Sequence, residues 1–213
     1  MKLYAHPFSS YTQKVLIALY ENATPFDYRS LEDATANAEL ASLWPLKRFP
    51  VLVDREYTIL EASTIVEHLE LHHRGRVRLM PDGDAGVEVR MLDRIFDNYV
   101  MAPMQTIVAD KLRPDGQGDA YGVDQARAQL DKSYAWLDRR LDGREWAAGA
   151  FGLTDCAAAP SLFYADWAHP IPDACGALRA YRARLLARPS VARAVDEARP
   201  YRAYFPLGAP DRD

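Results

Sequence analysis

The N-terminal third of the chain alternates between short strand-like runs and stretches whose apolar residues recur at helical spacing. Strands are predicted over 2–5, 26–31, 51–54 and 57–60. Helices are predicted over 12–20, 36–43 and 63–72. Arg55-Glu56 separates the last two strands by a spacing that predicts a hairpin. The order of these elements predicts a small α/β unit.

The remainder of the chain has the periodicity of helices alone. Glycine, proline and charged residues cluster at Arg74–Arg76 and Pro81–Asp84, and this change of composition marks a linker. Helices are predicted over 87–109, 123–141, 154–168, 176–187 and 190–198. Pro103 predicts a kink in the first of them. We therefore expect an α/β domain over residues 1–77 and an all-helical domain over residues 86–213.

Composition excludes several classes of protein. The 213 residues are 49% hydrophobic and 26% charged, with a net charge of −4, which is typical of a soluble globular chain. Lys and Arg are mixed with Asp and Glu, so no nucleic-acid partner is expected. No apolar run approaches the ~18 residues of a membrane span. The two cysteines, Cys156 and Cys175, are too few for a disulfide framework or a zinc site. We expect no signal peptide, no metal and a cytoplasmic protein.

Pro50 and the helix after the hairpin indicate a ligand site. A proline directly before an apolar strand fits only at the strand's first residue, an edge or a bulge. A cis bond there turns the next backbone groups towards a ligand. Glu61 and Ser63 open a helix whose free N–H groups favour an anion. Together they predict a site for a peptide-like ligand with a carboxylate; the alternative is an edge-strand proline and an ordinary capped helix.

Four separated segments, taken together, resemble the glutathione transferase family. They are His6–Val15, Trp44–Leu52, Leu60–Ile65 and Gly152–Pro160. The first resembles the loop after the first strand in the serine-type classes, and the second resembles Asn-Pro-x-Gly-Lys-Val-Pro-x-Leu. The third lies on the family's Leu-x-Glu-Ser-x-Ala-Ile, and the fourth resembles its Ser/Thr-x-x-Asp helix cap. The resemblance implies an α/β thioredoxin-like N-terminal domain followed by an all-α C-terminal helical bundle domain.

The resemblance implies glutathione as co-substrate, with no covalently bound cofactor. The glutathione thiol reacts as its thiolate, which a hydroxyl donor or a helix N-terminus stabilises. Ser9 falls on the position that the serine-type classes use, with Ser10 and then Tyr11 as the alternatives. Serine is also a preferred helix cap, so Ser9 or Ser10 is alternatively a capping residue only.

The resemblance also assigns glutathione-binding roles along the second segment. Arg48 lies where the family often has a lysine for the glycine carboxylate, although a solvated surface charge is the alternative. Phe49 precedes Pro50, which the resemblance implies is cis. The backbone of Val51 is then expected to pair with the cysteinyl part of glutathione like an added strand. Lys47 replaces a glycine that is common in the family.

The third segment departs from the family at one residue. Glu61 is expected to face the γ-glutamyl ammonium group, but the serine that normally meets the carboxylate is Ala62 here. Ser63 follows one place later, and one residue on a helix turns a side chain by about 100°. Backbone N–H groups at the helix start, first that of Ala62, are expected to bind the carboxylate instead.

The helical domain is expected to supply a pocket for a small apolar electrophile. The resemblance places it against the first long helix, which carries the bulky residues Phe96, Tyr99, Val100 and Met104. The alternative is that these residues belong to the core. Tyr201–Pro206 is a candidate lid. Asp155 is predicted to cap its helix and Cys156 to be a buried apolar residue.

We therefore expect a serine-type glutathione transferase that activates the thiol for conjugation, and by family resemblance a homodimer. A non-catalytic binding or interaction protein is an alternative that Ala62 and Lys47 favour. A glutathione-dependent isomerase or peroxidase is the other.

Overall fold

A four-stranded mixed sheet forms the N-terminal part of the computed structural model, which describes all residues 1–213. The strands are β1 (Lys2–Ala5), β2 (Asp27–Ser30), β3 (Val51–Asp54) and β4 (Tyr57–Ile59). Their order is β2-β1-β3-β4; β2 is parallel to β1, whereas β1–β3 and β3–β4 are antiparallel. The predicted hairpin is present, with Asp54 opposite Tyr57.

Three helices cover the sheet, and the alternation of strand side chains assigns their faces. They are α1 (Ser10–Glu21), α2 (Ala34–Leu43) and α3 (Ala62–His72). Tyr4 points to the small apolar cluster beneath α2, whereas Leu3 and Ala5 join the main core with α1 and α3. This helix–sheet–helix arrangement confirms the thioredoxin-like prediction.

The C-terminal part is entirely helical, as predicted. Its helices are α4 (Gly83–Phe96), α5 (Ala102–Lys111), α6 (Ala120–Leu141), α7 (Leu153–Ala168), α8 (Gly176–Leu186) and α9 (Pro189–Ala198), followed by a 3₁₀ segment (Arg199–Tyr204). None of them combines the length and the apolar character that crossing a bilayer requires.

The single helix predicted over 87–109 is divided in the structure. A π-helical segment, Asp97–Met101, joins α4 to α5. Pro103 lies within the first turn of α5 and has no N–H to donate to the carbonyl of Tyr99, four residues back. The Ser133 hydroxyl donates to that carbonyl instead, at 2.7 Å. The proline therefore changes the helix without leaving the Tyr99 oxygen unpaired.

The start of α7 is held by a buried carboxylate, as predicted. Asp155 accepts hydrogen bonds from the N–H groups of Gly152 (3.0 Å) and Ala147 (3.1 Å) and from the Tyr181 hydroxyl (2.6 Å). Burial raises the pKa of Asp155 despite these donors. Cys156, next to it, is a free and fully buried thiol. Asp155 thus stabilises the fold at the start of α7.

One hydrophobic core of 49 buried residues runs through both parts of the chain. Five consecutive residues of α1, Val15 to Leu19, are at most 1% exposed. The helix is buried on all sides because α3, α7 and α9 pack against it and strand residues such as Leu3 and Leu52 share its core. The N-terminus of α1 is therefore fixed where the two parts of the chain meet.

Candidate functional site

A cleft of about 580 Å³ lies where the sheet loops face the start of the helical part. It brings together segments that are far apart in sequence. Its lining residues are Ser9, Tyr11, Trp44, Lys47–Val51, Leu60–Ala62, Arg94, Asp97, Asn98 and Gln105. The predicted residues Arg48, Phe49, Pro50, Val51, Glu61 and Ala62 are all among them.

The structure distinguishes between the two candidate serines. Ser9 is the N-cap of α1 and lines the cleft, and its Oγ accepts the N–H of Thr12 at 3.3 Å. Ser10 is the first residue of the helix, is only 8% exposed and lies outside the cleft lining. A hydroxyl that accepts one hydrogen bond keeps its own proton to donate. Capping α1 and donating to a ligand are therefore compatible roles for Ser9.

Tyr11 also lines the cleft, but as a neutral phenol. Burial, with the negative charges of Asp97 and Glu61, raises its pKa to about 12. The hydroxyl therefore keeps its proton across the physiological range. Tyr11 can donate a hydrogen bond in the cleft but does not act as a base there.

Pro50 and Val51 form the sheet side of the cleft. The Phe49–Pro50 bond is cis, as predicted. Val51 pairs with Tyr4 of β1, whereas the ladder to β4 begins only at Leu52. The backbone of Val51 therefore has no strand neighbour on the β4 side, where the cleft lies. An extended ligand has room to add itself there as a short strand.

Glu61 turns the chain into α3 with an unusual backbone conformation. Its φ of 66° lies in the left-handed region that favours glycine, and its side chain makes no capping hydrogen bond. Strain of this kind, on the order of 1–3 kcal/mol, is characteristic of ligand sites. The Glu61 carboxylate lies in the cleft, and helix α3 begins directly behind it at Ala62.

A buried ionic network lies beneath this helix start. The Lys14 ammonium lies 2.6 Å from Asp93, 2.8 Å from Asp97 and 2.9 Å from the Ser63 hydroxyl. Lys14 and Asp93 are each 1% exposed. Ser63 also donates to Asp93 at 2.8 Å, so its hydroxyl is fully engaged and faces away from the cleft. The structure therefore does not place Ser63 among the residues that line the cleft.

The helical wall of the cleft is polar rather than apolar. Phe96 and Val100 are completely buried and Met104 is 5% exposed, so all three belong to the core. Tyr99 is half exposed but lies outside the cleft lining. The structure places none of these four predicted residues in the cleft lining, because periodicity does not say which face of a helix meets the core. The residues of α4, the π segment and α5 that do line the cleft are Arg94, Asp97, Asn98 and Gln105.

The predicted lid packs elsewhere. Tyr201 lies edge-on to His6 at 4.6 Å between ring centroids and donates to Glu32 at 3.0 Å. Phe205 is buried against Trp167, with ring centroids 5.3 Å apart. The C-terminal segment therefore reaches back to the α/β part, as expected, but none of its residues lines the cleft.

Comparison with known proteins assigns the family. The family models described as the glutathione S-transferase N-terminal and C-terminal domains match residues 3–76 and 120–184. The chain belongs to the glutathione transferase family.

Relatives have a low sequence identity to this chain but a closely similar fold. The glutathione S-transferase hmp2 of Hypomyces subiculosus is 26% identical over 159 residues, which are 70% of this chain and 74% of that protein. A glutathione S-transferase of Methylobacillus flagellatus KT, solved with glutathione bound, has a TM-score of 0.81 at 24% identity and covers 91% of this chain and 98% of its own. One from Methylobacterium radiotolerans, in complex with glutathione sulfonate, has a TM-score of 0.78 at 28% identity, with coverages of 91% and 93%.

Two departures from the glutathione transferase pattern have clear structural consequences. Lys47 adopts a φ of 52°, a conformation that glycine adopts without strain, at the position where the family often has glycine. Ala62 lines the cleft with a methyl group where the family has a hydroxyl. Ser63 does not replace that hydroxyl, because Lys14 and Asp93 bind it.

Proposed function

We propose that this protein is an enzymatic glutathione transferase in which the Ser9 hydroxyl stabilises the glutathione thiolate. The observation that carries the proposal is that Ser9 and Glu61 line one cleft with Val51, which has no strand neighbour on its β4 side. The 28% identical relative in complex with glutathione sulfonate supports glutathione as the ligand.

In this proposal glutathione lies extended along the sheet side of the cleft. Its cysteinyl backbone pairs with Val51, and its γ-glutamyl ammonium group pairs with Glu61. Arg48, an exposed cation at the cleft's rim, binds the glycine carboxylate, which a guanidinium can bind bidentately. The γ-glutamyl carboxylate accepts hydrogen bonds from the free N–H groups at the start of α3.

The chemical task of Ser9 is to lower the pKa of the bound thiol. A free thiol has a pKa of about 8.5, so most of it is protonated at neutral pH. A hydrogen bond to a charged group contributes about 1.5–3 kcal/mol, which corresponds to about one to two pKa units. The N-terminus of α1 adds a favourable dipole directly behind Ser9.

The test compares the two adjacent serines. Glutathione-agarose retention and turnover of chlorodinitrobenzene are measured for the wild type, Ser9→Ala and Ser10→Ala. We expect Ser9→Ala to retain glutathione but to raise the pKa of the bound thiol by about one to two units, seen in thiolate absorbance against pH. Ser10→Ala is the matched control, because Ser10 lies outside the cleft lining. Equal turnover in both variants contradicts the role of Ser9.

Tyr11 is the other donor within the same cleft. If the thiol contact is the phenol, Tyr11→Phe raises the thiol pKa while Ser9→Ala leaves it unchanged. That result would keep the transferase activity and move the catalytic role to Tyr11. An unchanged Tyr11→Phe variant supports Ser9.

We propose that the second substrate presents hydrogen-bonding groups to the helical wall. Asn98 and Gln105 line the side of the cleft formed by the π segment and α5. Electrophiles with nitro or carbonyl oxygens match these amides better than hydrocarbons do. Asn98→Ala and Gln105→Ala are expected to raise KM for such a substrate several-fold with little change in glutathione affinity. No change in KM for either variant contradicts this assignment.

The second candidate function is binding of glutathione without catalysis, or an interaction role without glutathione. Ala62 favours it, since one carboxylate contact is missing and Ser63 does not restore it. Calorimetric titration of Ala62→Ser with glutathione is expected to show at least about tenfold tighter binding than the wild type. Binding without turnover supports the binding protein, and no binding at millimolar glutathione contradicts both glutathione-dependent functions.

We also propose a homodimer formed through α3, β4 and α4. Large apolar side chains are exposed on these three elements, namely Tyr57, Leu71, Val87 and Met91. Light scattering of Met91→Lys is expected to show a shift towards the monomer, with Leu112→Lys, on an exposed apolar residue after α5, as the control. A cytoplasmic location stays a prediction.

A further inference from the structure

A cluster of metal-ligand side chains lies at the opposite end of α3 from the cleft. Asp54 is the last residue of β3, His68 lies in the second half of α3, and His73 follows the last residue of that helix. None of the three lines the cleft. The cluster is separated from the proposed glutathione chemistry, and its three members come from two different elements.

The two imidazoles converge on a single carboxylate oxygen. Nε2 of His68 lies 2.9 Å from Oδ2 of Asp54, and Nε2 of His73 lies 2.6 Å from the same atom. One ligand atom from each residue fits within 4.8 Å of the other two. Ordinary hydrogen bonding does not require two histidines from separate turns to point at one oxygen.

These distances are close to those of a metal site. Zinc bonds of about 2.0–2.1 Å in tetrahedral geometry place the ligand atoms about 3.3 Å apart. To admit an ion, His68 and His73 would move away from Asp54 by about 0.4 and 0.7 Å, and their ligand nitrogens, which lie within 4.8 Å of each other, would approach to about 3.3 Å. Movements of this size are within the reach of side-chain torsions.

The environment also suits a cation. The Asp54 side chain is 9% exposed, and those of His68 and His73 are 11% and 24% exposed. The ligand atoms are thus mostly shielded from water, while the side next to His73 stays open to a water ligand. Two neutral imidazoles and one carboxylate, with one open position, form a ligand set that zinc and other divalent first-row metals accept.

We propose that Asp54, His68 and His73 bind a divalent transition-metal ion of the zinc type. The ion fastens the C-terminal end of α3 to the end of β3. Both elements begin at the cleft, β3 with Val51 and α3 with Ala62. The metal therefore holds together the two elements whose opposite ends line the cleft.

The test uses the full chain without a histidine tag, stripped of metal by chelation and dialysis. Calorimetric titration with Zn²⁺ and the visible absorbance of added Co²⁺ report stoichiometry and coordination. We expect one ion per chain, a raised Tm with Zn²⁺, and loss of at least about tenfold in affinity in His68→Ala and His73→Ala. His73→Gln is the second variant, since a glutamine can still donate to Asp54 but is a poor zinc ligand.

Two histidines serve as matched controls. His72 is adjacent to His73, and its ring lies 4.5 Å from that of His68, but it does not point at Asp54. His169 lies 2.7 Å from Asp131 as a simple histidine–carboxylate pair. We expect His72→Ala and His169→Ala to bind Zn²⁺ like the wild type.

Three results would overturn the proposal. The first is no binding of Zn²⁺ or Co²⁺ at micromolar concentrations by wild-type protein whose circular dichroism shows that it is folded; the cluster is then a pair of hydrogen bonds only. The second is loss of binding in His72→Ala but not in His73→Ala, which would place the ion on the helical pair His68 and His72. The third is tight binding retained in a folded His73→Gln variant.

Discussion

Replacing Lys14 by Met removes the cation from the buried network that joins α1, α3 and α4. The Lys14 ammonium contacts Asp93, Asp97 and the Ser63 hydroxyl within 3.0 Å, and water does not reach it. Methionine has a similar length and no charge. The substitution therefore deletes the charge with little change of volume and leaves two carboxylates without their counter-ion.

The expected loss of stability is large. Removing one partner of a buried ion pair costs about 3–5 kcal/mol, because the other charge stays buried. Asp93 keeps the Ser63 hydroxyl and a peripheral contact with Arg94 at 3.5 Å, which favours the lower half of that range. A domain's whole stability is about 5–15 kcal/mol, so Lys14→Met is expected to lower the urea midpoint strongly.

A pH dependence distinguishes this mechanism from lost packing. Burial, with Asp93 nearby, raises the pKa of Asp97, and Lys14 opposes that rise. Without Lys14 the folded-state pKa of Asp97 increases further above its unfolded value. The stability of the variant relative to the wild type is therefore greatest below the unfolded-state pKa of Asp97, and it decreases as pH rises through the folded-state pKa of Asp97. Lys14→Met should be more destabilising at pH 7 than at pH 4.

Urea unfolding at both pH values, followed by circular dichroism, measures the effect. Lys132→Met, on an exposed face of α6, is the control and is expected to change stability by less than about 0.5 kcal/mol. Adding Asp93→Asn to Lys14→Met should recover part of the loss, with a coupling of about 0.5–3 kcal/mol. A loss below about 1 kcal/mol in Lys14→Met, independent of pH, would refute the reasoning.

Three further substitutions test contacts in which the helical part takes part. Gly152→Ser restores the family's capping residue but is expected to destabilise by about 1–3 kcal/mol in urea unfolding, because a Cβ would lie 2.8 Å from the carbonyl oxygen of Leu79. Asp155→Asn should lower Tm less than Asp155→Ala, since an amide oxygen still accepts from the buried donors. Glu21→Gln should destabilise the protein at pH 7, but progressively less as pH falls below about 4.5. Hydrogen bonds from Arg188 and Ser190 outweigh the effect of burial and lower the pKa of Glu21 in the folded protein. The stability that ionised Glu21 contributes is therefore present above its unfolded-state pKa and is lost as pH falls through its folded-state pKa.

Each of these has its own contradicting outcome. A Gly152→Ser protein as stable as the wild type would mean that the Leu79 loop moves freely. Equal Tm values for Asp155→Asn and Asp155→Ala would show that the buried donors find other partners. Glu56→Gln, on an exposed turn, controls for Glu21→Gln, and a stability difference that does not vary with pH would exclude the ionic contribution.

The sequence predicts those parts of the site that depend on local rules. Pro50 before an apolar strand and Ser9 before an amphipathic helix are local signals, and both residues line the cleft. Local rules do not predict the orientation of the Ser63 side chain, because its partners Lys14 and Asp93 lie on other helices. The only sequence signal for the buried role of Lys14 is that this charged residue lies inside the apolar run of α1.

The fold is predictable to the same extent. Periodicity places every strand and nearly every helix, but it does not reveal the π-helical segment, which depends on Pro103 and on Ser133 from another helix. It also does not separate the core side of a helix from the cleft side, as Phe96 shows. The presence of glycine at position 152 is explained only by the structure, in which the carbonyl oxygen of Leu79 occupies the space that a side chain would need.

The burial of α1 on all sides determines how the protein unfolds. Residues of α1 are at most 1% exposed from Val15 to Leu19, since α7 and α9 of the helical part cover an apolar face of this helix. A fragment that ends at the linker would present that apolar face, and the unpaired Lys14, to water. We expect calorimetry to show a single cooperative transition for the whole chain. The boundary visible in the sequence therefore separates two architectures but not two independently stable modules, and the N-terminal part is not one that can be transplanted alone.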